Sequence, residues 1–405
     1  MSEEKRLLPV SVQSFEKLRE SNCIYVDKTA YIYRLVHDVA QFFLSRPRRF
    51  GKSLLLSTIR AYWEGKKELF SELDIEKLEA DDPDAWKPHP VFYFDFNGKN
   101  YNKENALESV ISSHLERWEE VYDLNGKNKS LEERFQTLLT TAHKNTGLRC
   151  VILVDEYDKP LLDLIDEPAL QEHNKAVFKG FFSNLKSYDN DIRFVLITGV
   201  TKFHKVSIFS DLNQLKDISL NEEFSDICGI TETELKDNFA PEITAIAQKH
   251  HLTDEDCLSK LKKQYDGYRF HQNGVNVYNP YSLINAFSDN EFGAYWFESG
   301  TPTFLIKQLK DMDFDVRRFT DHTIYADASL IKDYSAENPD PIPLLYQSGY
   351  LTIADYDPEG YEYTLAFPNN EVKYGFLQNL MPEYVSDCGS SSGLDIFTFR
   401  RYIKK

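Results

Sequence analysis

The chain has 405 residues, enough for two or three domains with sizeable cores and no need of a disulfide or metal staple. Asp and Glu outnumber Lys and Arg by 65 to 47, a formal charge of −18, which argues against a surface that coats phosphate backbones but leaves room for one local basic groove. Hydrophobic residues at 41% and charged residues at 28% exclude a disordered chain, and 14% aromatics suit large cores or contact faces.

The first residues, MSEEKRLLPVSVQSF, lack the apolar core of a signal peptide. Nowhere does an apolar run approach the roughly 18 residues of a membrane span. The five cysteines (Cys23, Cys150, Cys228, Cys257, Cys388) are scattered and include no CxxC pair, which fits a reducing compartment. These features lead us to expect a cytoplasmic protein without membrane contact. The ten histidines show no zinc-ligand spacing, and His250-His251 reads as a helix end.

In chain order, Tyr25-Val26-Asp27-Lys28-Thr29 precedes a helix, and Tyr25 or Tyr31 could stack on a base or simply pack in the core. Four short apolar runs then read as buried strands: residues 39–44 (VAQFFL), 91–96 (VFYFDF), 150–154 (CVILV) and 192–198 (IRFVLIT). Between them, residues 104–121 place Leu107, Val110, Ile111, Leu115 and Trp118 at helical spacing. Strands alternating with helices predict a mainly parallel sheet covered on both faces. From about residue 220 the pattern turns helical, with Thr231 and Glu234 forming a capping-box signature. Residues 343–384 read as helix, two strands around the turn Asp357-Pro358-Glu359-Gly360, and helix, an order that suggests a winged helix. Residues 386–393 (SDCGSSSG) read as a linker.

The first chemical signal lies where the first strand ends: Arg46-Pro47-Arg48-Arg49-Phe50-Gly51-Lys52-Ser53, followed by the helical LLLSTIRAYW. A phosphate-binding loop needs inward backbone N–H groups, a helix N-terminus, a Lys for the outer phosphates and a hydroxyl for Mg²⁺. Gly51, Lys52 and Ser53 supply its second half, with Leu54 beginning the helix. Arg46 stands where the general pattern has its first Gly, tolerable only if its φ stays negative. Arg48 or Arg49 could then supply part of the phosphate contact. A lone GKS is a common coincidence, but a second signal accompanies it. Residues 151–154 run into Asp155-Glu156, an apolar strand ending in two carboxylates that resembles a Walker B motif, one for the Mg²⁺ shell and one for the attacking water. A third follows the next strand at Gly199-Val200-Thr201-Lys202. There Thr201, with Thr198 and Lys202 close behind, is the candidate for sensing a γ-phosphate or positioning water.

These segments resemble the bacterial AAA-ATPase-like proteins, which commonly continue into a PD-(D/E)XK nuclease-like domain. The resemblance runs through YVDKT (25–29), RPRRFGKSL (46–54), VDEYDKPL (154–161), TGVTK (198–202), LNQLKDIS (212–219), YDGYRF (265–270), YNPYSL (278–283) and YWFESGTPT (295–303). It covers roughly residues 5–310, is specific because many motifs occur in one order, and makes RPRRFGKS that family's own loop form. It implies ATP binding and hydrolysis, and Arg269 within YDGYRF could reach a γ-phosphate from a lid. Residues 345–351 and 367–372 resemble the lead-in to the nuclease-like region, whose core in relatives lies beyond Lys405. Asp340 or Asp357 with Glu371-Val372-Lys373 superficially makes a D…ExK pattern. However, Glu371 follows Pro368-Asn369-Asn370, where a helix should start, and acidic residues are ordinary in a first turn.

The sequence therefore predicts an α/β P-loop domain of the additional-strand type over residues 1–220, a helical lid over 221–310 and a small winged-helix-like α+β part over 311–405. The expected activity is Mg²⁺-dependent ATP binding with slow hydrolysis. Lys52 would hold the phosphates, Ser53 and Asp155 the Mg²⁺, and Glu156 the water. Tyr25 and residues 48–54 would complete the nucleotide contact, with Thr201 and Arg269 as sensors. A module that binds nucleotide and a protein partner without turnover, and an accessory factor for nucleic-acid processing, are the alternatives.

Overall fold

Four of the apolar runs become strands of one parallel sheet in the computed structural model of the protein. The structure describes residues 6–202, 215–298 and 340–384, together with 305, 309, 316–319, 324–327 and 331; for 316, 317 and 381–384 it describes the backbone alone. The chain divides into two units, Met1–Pro47 with Gly51–Cys228, and Gly229–Lys405 with Arg48–Phe50.

In the first unit β1 (Gln41–Ser45), β2 (Val91–Asp95), β3 (Cys150–Asp155), β4 (Ile192–Gly199) and β5 (Leu215–Asp217) lie in the order β2-β3-β4-β1-β5, all parallel. β4 thus sits between the strand that feeds the glycine loop and the strand that ends in the acidic pair. β3 is buried along its whole length, as an inner parallel strand covered on both faces must be. Because all five strands run the same way, their carboxyl ends share one edge, where ligands of open α/β sheets bind.

The helices α1 (Phe15–Glu20), α2 (Thr29–His37), α3 (Lys52–Trp63), α4 (Asp74–Leu78), α5 (Ala106–Val121), α6 (Leu131–Thr146), α7 (Lys159–Leu162) and α8 (Pro168–Phe182) belong to this unit. α5 buries Leu107, Val110, Ile111 and Leu115, the predicted stripe. α6 opens with a capping box between Ser130 and Glu133 and stops at Gly147, whose φ of 69° suits a C-cap. Between sheet and helices lies an aromatic layer, with Phe94 against Trp118 at 4.9 Å, Phe135 at 5.5 Å and Phe181 at 5.3 Å. Such pairs contribute about 0.5–1.5 kcal/mol beyond their area burial.

In the second unit, β6 (Ile230–Thr231) pairs antiparallel with β7 (Val277–Tyr278), and Thr231 with Glu234 closes the predicted capping box on helix Glu232–Asn238. Gly267 has a φ of +100°, and a Cβ there would collide with Pro368 O, so the Gly of YDGYRF answers to both conformation and space. Helix Pro341–Gln347, β9 (Thr352–Asp357), β10 (Glu362–Ala366) and helix Asn370–Tyr384 follow in the predicted order. β8 (Ile324–Asp327) pairs with β10, giving a three-stranded antiparallel sheet in the order β8-β10-β9. The predicted linker at 386–393 lies outside the described residues.

Candidate functional site

The end of β1 carries Arg46, which is 1% exposed and is not among the residues with positive φ, so its Cβ is tolerated where the general motif has Gly. Its guanidinium is committed to backbone carbonyls. Nη1 donates to Ser45 O at 2.9 Å and Ser219 O at 2.7 Å, and Nη2 to Phe224 O at 2.9 Å and Ser225 O at 3.4 Å. Arg46 therefore ties the loop to the segment after β5. Gly51 then N-caps α3 with a φ of +93°. A Cβ at that position would meet nothing within 4 Å, so the demand for Gly is conformational, where an L-residue pays about 1–2 kcal/mol. Among the described residues no side chain caps the N-terminus of α3, leaving its first N–H groups to other acceptors.

Lys52, the first residue of α3, is buried and donates from Nζ to Arg46 O at 2.9 Å and Pro47 O at 3.0 Å. Burial lowers its ammonium pKa, and the charges of Glu156, Asp155 and Asp158 oppose that shift. Loop and acidic strand thus meet electrostatically, as the two motifs require. Ser53 and Leu54 are half-buried on the same turn.

Asp155 ends β3 and is 3% exposed; its Oδ1 accepts from Thr198 Oγ1 at 2.9 Å and its Oδ2 from Tyr93 Oη at 3.2 Å. Hydroxyls from the two neighbouring strands therefore fix the carboxylate. Glu156 follows with a φ of +51°, a left-handed backbone rare for Glu and typical of places where chain geometry serves a site. Asp158, which the sequence reading did not single out, is buried and accepts from Val200 N at 3.0 Å and Thr201 N at 2.6 Å. Burial pushes its carboxyl up to about 6, against the pull of those N–H groups and Lys52. Its signal lay in VDEYDK, where a second Asp follows three residues after the first.

Thr201 is fully buried, its N–H is held by Asp158, and its Oγ1 has no hydrogen-bond partner among the described residues. Thr198 holds Asp155, while Lys202 Nζ donates to Asp217 Oδ2 at 2.8 Å and so ties the end of β4 to β5. The hydroxyl of Thr198 is engaged by Asp155, whereas the buried hydroxyl of Thr201 has no hydrogen-bond partner among the described residues.

Other predicted residues have structural duties. Tyr25 packs edge-on against Phe15 at 5.2 Å, and burial pushes its hydroxyl up, with Thr58 as a hydrogen-bond neighbour. Arg48–Phe50 belong to the second unit, where Trp296 Nε1 donates to Arg48 O at 3.1 Å and the Arg49 guanidinium lies 3.9 Å from the Tyr281 ring centroid. Phe50 is buried edge-on against Tyr268 at 4.7 Å and Phe270 at 5.6 Å, so its side chain is packing and any anion contact there would use the backbone. Arg269, also in the second unit, donates from Nε to Asn276 Oδ1 at 3.3 Å and from its backbone N to Thr352 Oγ1 at 2.7 Å.

Glu371 lies in the first turn of helix Asn370–Tyr384. It is 2% exposed, accepting from Ser282 Oγ and from Trp296 N at 2.8 Å each. Asp340 caps helix Pro341–Gln347 through Ile342 N at 2.9 Å, and Asp357 accepts from Glu359 N at 2.9 Å within its turn. The three carboxylates of the D…ExK pattern thus have separate structural partners.

A five-stranded parallel sheet with a glycine loop at one strand end and an acidic pair at another defines an α/β domain of P-loop-like type. The chain belongs to the predicted AAA-ATPase family, whose model matches residues 9–209. It is similar to an uncharacterized protein in the vnfD 5′ region of Azotobacter chroococcum mcd 1, with 36% identity over 394 residues that span 95% of this chain and 72% of that protein. Membership implies nucleotide binding, with ATP as the nucleotide. Among the described residues no helix is long and apolar enough to cross a membrane.

Proposed function

We propose that the protein binds ATP with Mg²⁺ and hydrolyses it slowly, as a conformational switch. The observation that carries this reading is the electrostatic meeting of Lys52 with Asp155, Glu156 and Asp158 at the carboxyl edge of the sheet. Lys52 holds the β- and γ-phosphates, exchanging its two carbonyl partners for phosphate oxygens, which are stronger acceptors for an ammonium. The uncapped N–H groups of α3 receive the same anion.

Mg²⁺ fits the donor set. Asp155 has acceptor capacity beyond its two hydroxyl partners, and Ser53 supplies a hydroxyl at the helix start, so these two residues would hold the ion. The ion would neutralise charge on the phosphates. Glu156 orients and deprotonates the attacking water. The buried hydroxyl of Thr201 senses the γ-phosphate.

Lys52→Ala tests the assignment by thermal-shift titration with ATP and Mg²⁺, alongside phosphate release. The parent should be stabilised by ATP and release phosphate slowly, and the variant should lose both with its fold intact. Equal ATP stabilisation of parent and variant would sink the Lys52 assignment. Stabilisation without turnover in the parent would favour the alternative of a nucleotide-dependent interaction module.

A further inference from the structure

The first unit also gathers His37, Glu79 and Asp82, whose ligand atoms lie within 4.8 Å of one another. The sequence hides this group, since His37 and Asp82 are 45 residues apart. His37 is the last residue of α2, Glu79 is the C-cap of α4, and Asp82 lies in the turn that follows.

His37 Nε2 is 3.5 Å from Glu79 Oε2 and 3.4 Å from Asp82 Oδ2. For metal–ligand bonds of about 2.0–2.1 Å, two corners of a tetrahedron lie about 3.3–3.4 Å apart, so both separations match tetrahedral edges. His37 Nδ1 is 2.9 Å from Tyr33 O one turn earlier. Donation to that carbonyl puts the proton on Nδ1 and leaves the Nε2 lone pair for a metal, as backbone acceptors behind metal-bound histidines do.

Glu79 is the independent observation. Its side chain has no exposure, Oε1 accepts from Tyr62 Oη at 2.7 Å, and Oε2 is buried and accepts no hydrogen bond among the described residues. A buried carboxylate oxygen without a donor costs about 1–3 kcal/mol or more. Here that oxygen faces the imidazole nitrogen and the second carboxylate. Two carboxylates and a neutral imidazole around a divalent ion sum to zero charge. The carboxyl end of α2 adds a favourable partial charge for a cation.

We propose that His37 Nε2, Glu79 Oε2 and Asp82 Oδ2 form a binding site for a divalent transition-metal ion of the zinc class, with solvent in the fourth position. His37 and Asp82 are each about a third exposed on their side chains, so the ion can enter from solvent and one position stays open. The ion joins the end of α2 to the turn after α4. Through Glu79 and Tyr62 it also reaches the last turn of α3, whose first residue is Lys52. The site is independent of the nucleotide reading, because it shares no residue with it.

The experiment is equilibrium dialysis of the full chain against Zn²⁺ in the presence of excess Mg²⁺, with metal counted per chain, followed by Co²⁺ substitution and visible absorption. The parent should hold one tightly bound ion and show the intense bands of tetrahedral Co²⁺. His37→Ala and Asp82→Asn should each weaken binding by about 100-fold or more, since loss of even an outer-shell partner costs 10–100-fold. Both positions are partly exposed, so these variants should fold, and ATP stabilisation should be unchanged in them. Zn²⁺ retained equally by His37→Ala would overturn the proposal. So would a parent whose His37 titrates by NMR identically with and without Zn²⁺, which would make the cluster a simple imidazolium–carboxylate pair.

Discussion

Arg46→Gly restores the general GxxxxGKS pattern, so a motif reading expects better nucleotide binding, whereas the structure predicts damage. The substitution removes a buried guanidinium that bridges to Ser219 O and Phe224 O at 2.7 and 2.9 Å. Hydrogen bonds to charged groups contribute about 1.5–3 kcal/mol each, so these two are worth about 3–6 kcal/mol before offsets. Not having to bury the charge returns part of this, while a new glycine adds backbone entropy to the unfolded chain. The net expectation is a loss of about 3–4 kcal/mol. For a unit of roughly 200 residues that corresponds to a fall of about 10 °C in melting temperature. Three of the four tryptophans, Trp63, Trp86 and Trp118, lie in the first unit, so tryptophan fluorescence follows its melting. Arg46→Lys keeps a charge but not the fork and should fall between parent and Gly. An Arg46→Gly protein that melts with the parent and binds ATP more tightly would refute the assignment of Arg46 as a tether.

The left-handed backbone at Glu156 reverses the usual order of small residues. Glu156→Gly should be more stable than Glu156→Ala by about 1 kcal/mol in urea unfolding, while both lose phosphate release; an Ala variant as stable as Gly would contradict the backbone argument. Asp158 has a folded pKa raised from 3.8 to about 6, so the folded state holds its proton more firmly and the parent loses stability as pH rises through that window. Asp158→Asn carries no such term, so its stability relative to the parent should climb between pH 4 and 7 by up to about 3 kcal/mol, then level off. A pH-independent difference in unfolding midpoints would remove Asp158 from the set of undercompensated buried acids.

Strand existence was legible because four strands lie in apolar runs; β3 is buried along its whole length and β1 and β4 nearly so, while β2 at the sheet edge alternates between half-buried and buried positions. β5 was not, since Leu215–Asp217 has one apolar residue and is a strand because β1 offers it a parallel partner. The insertion of β4 between β1 and β3 is a crossover, which local pattern cannot encode; only the resemblance to additional-strand ATPases suggested it. The capping boxes at Ser130 and Thr231 and the helix at 106–121 follow from local chemistry alone. In the loop, Gly51, Lys52 and Ser53 were legible from spacing, but the duty of Arg46 was not. Three of its four carbonyl partners stand 173 to 179 residues further along, beyond the reach of any motif.

The buried carboxylates show why residue type and spacing do not by themselves select a site. Glu371 belongs to an ExK triplet, but both of its oxygens accept hydrogen bonds from the surrounding fold, so its charge is already answered by structure. Asp155 is also answered on both oxygens, but by hydroxyls of Thr198 and Tyr93, which orient it at the sheet edge beside Lys52. Glu79 appears in no motif, yet one of its oxygens has no donor among the described residues and lies 3.5 Å from an imidazole nitrogen. A desolvated carboxylate must find a proton, a donor or a cation. Which of the three it finds depends on partners that folding brings from distant segments. The D…ExK decoy and the hidden His37 cluster are therefore two outcomes of one rule: spacing proposes carboxylates, and the inventory of their hydrogen bonds decides which of them remain available for chemistry.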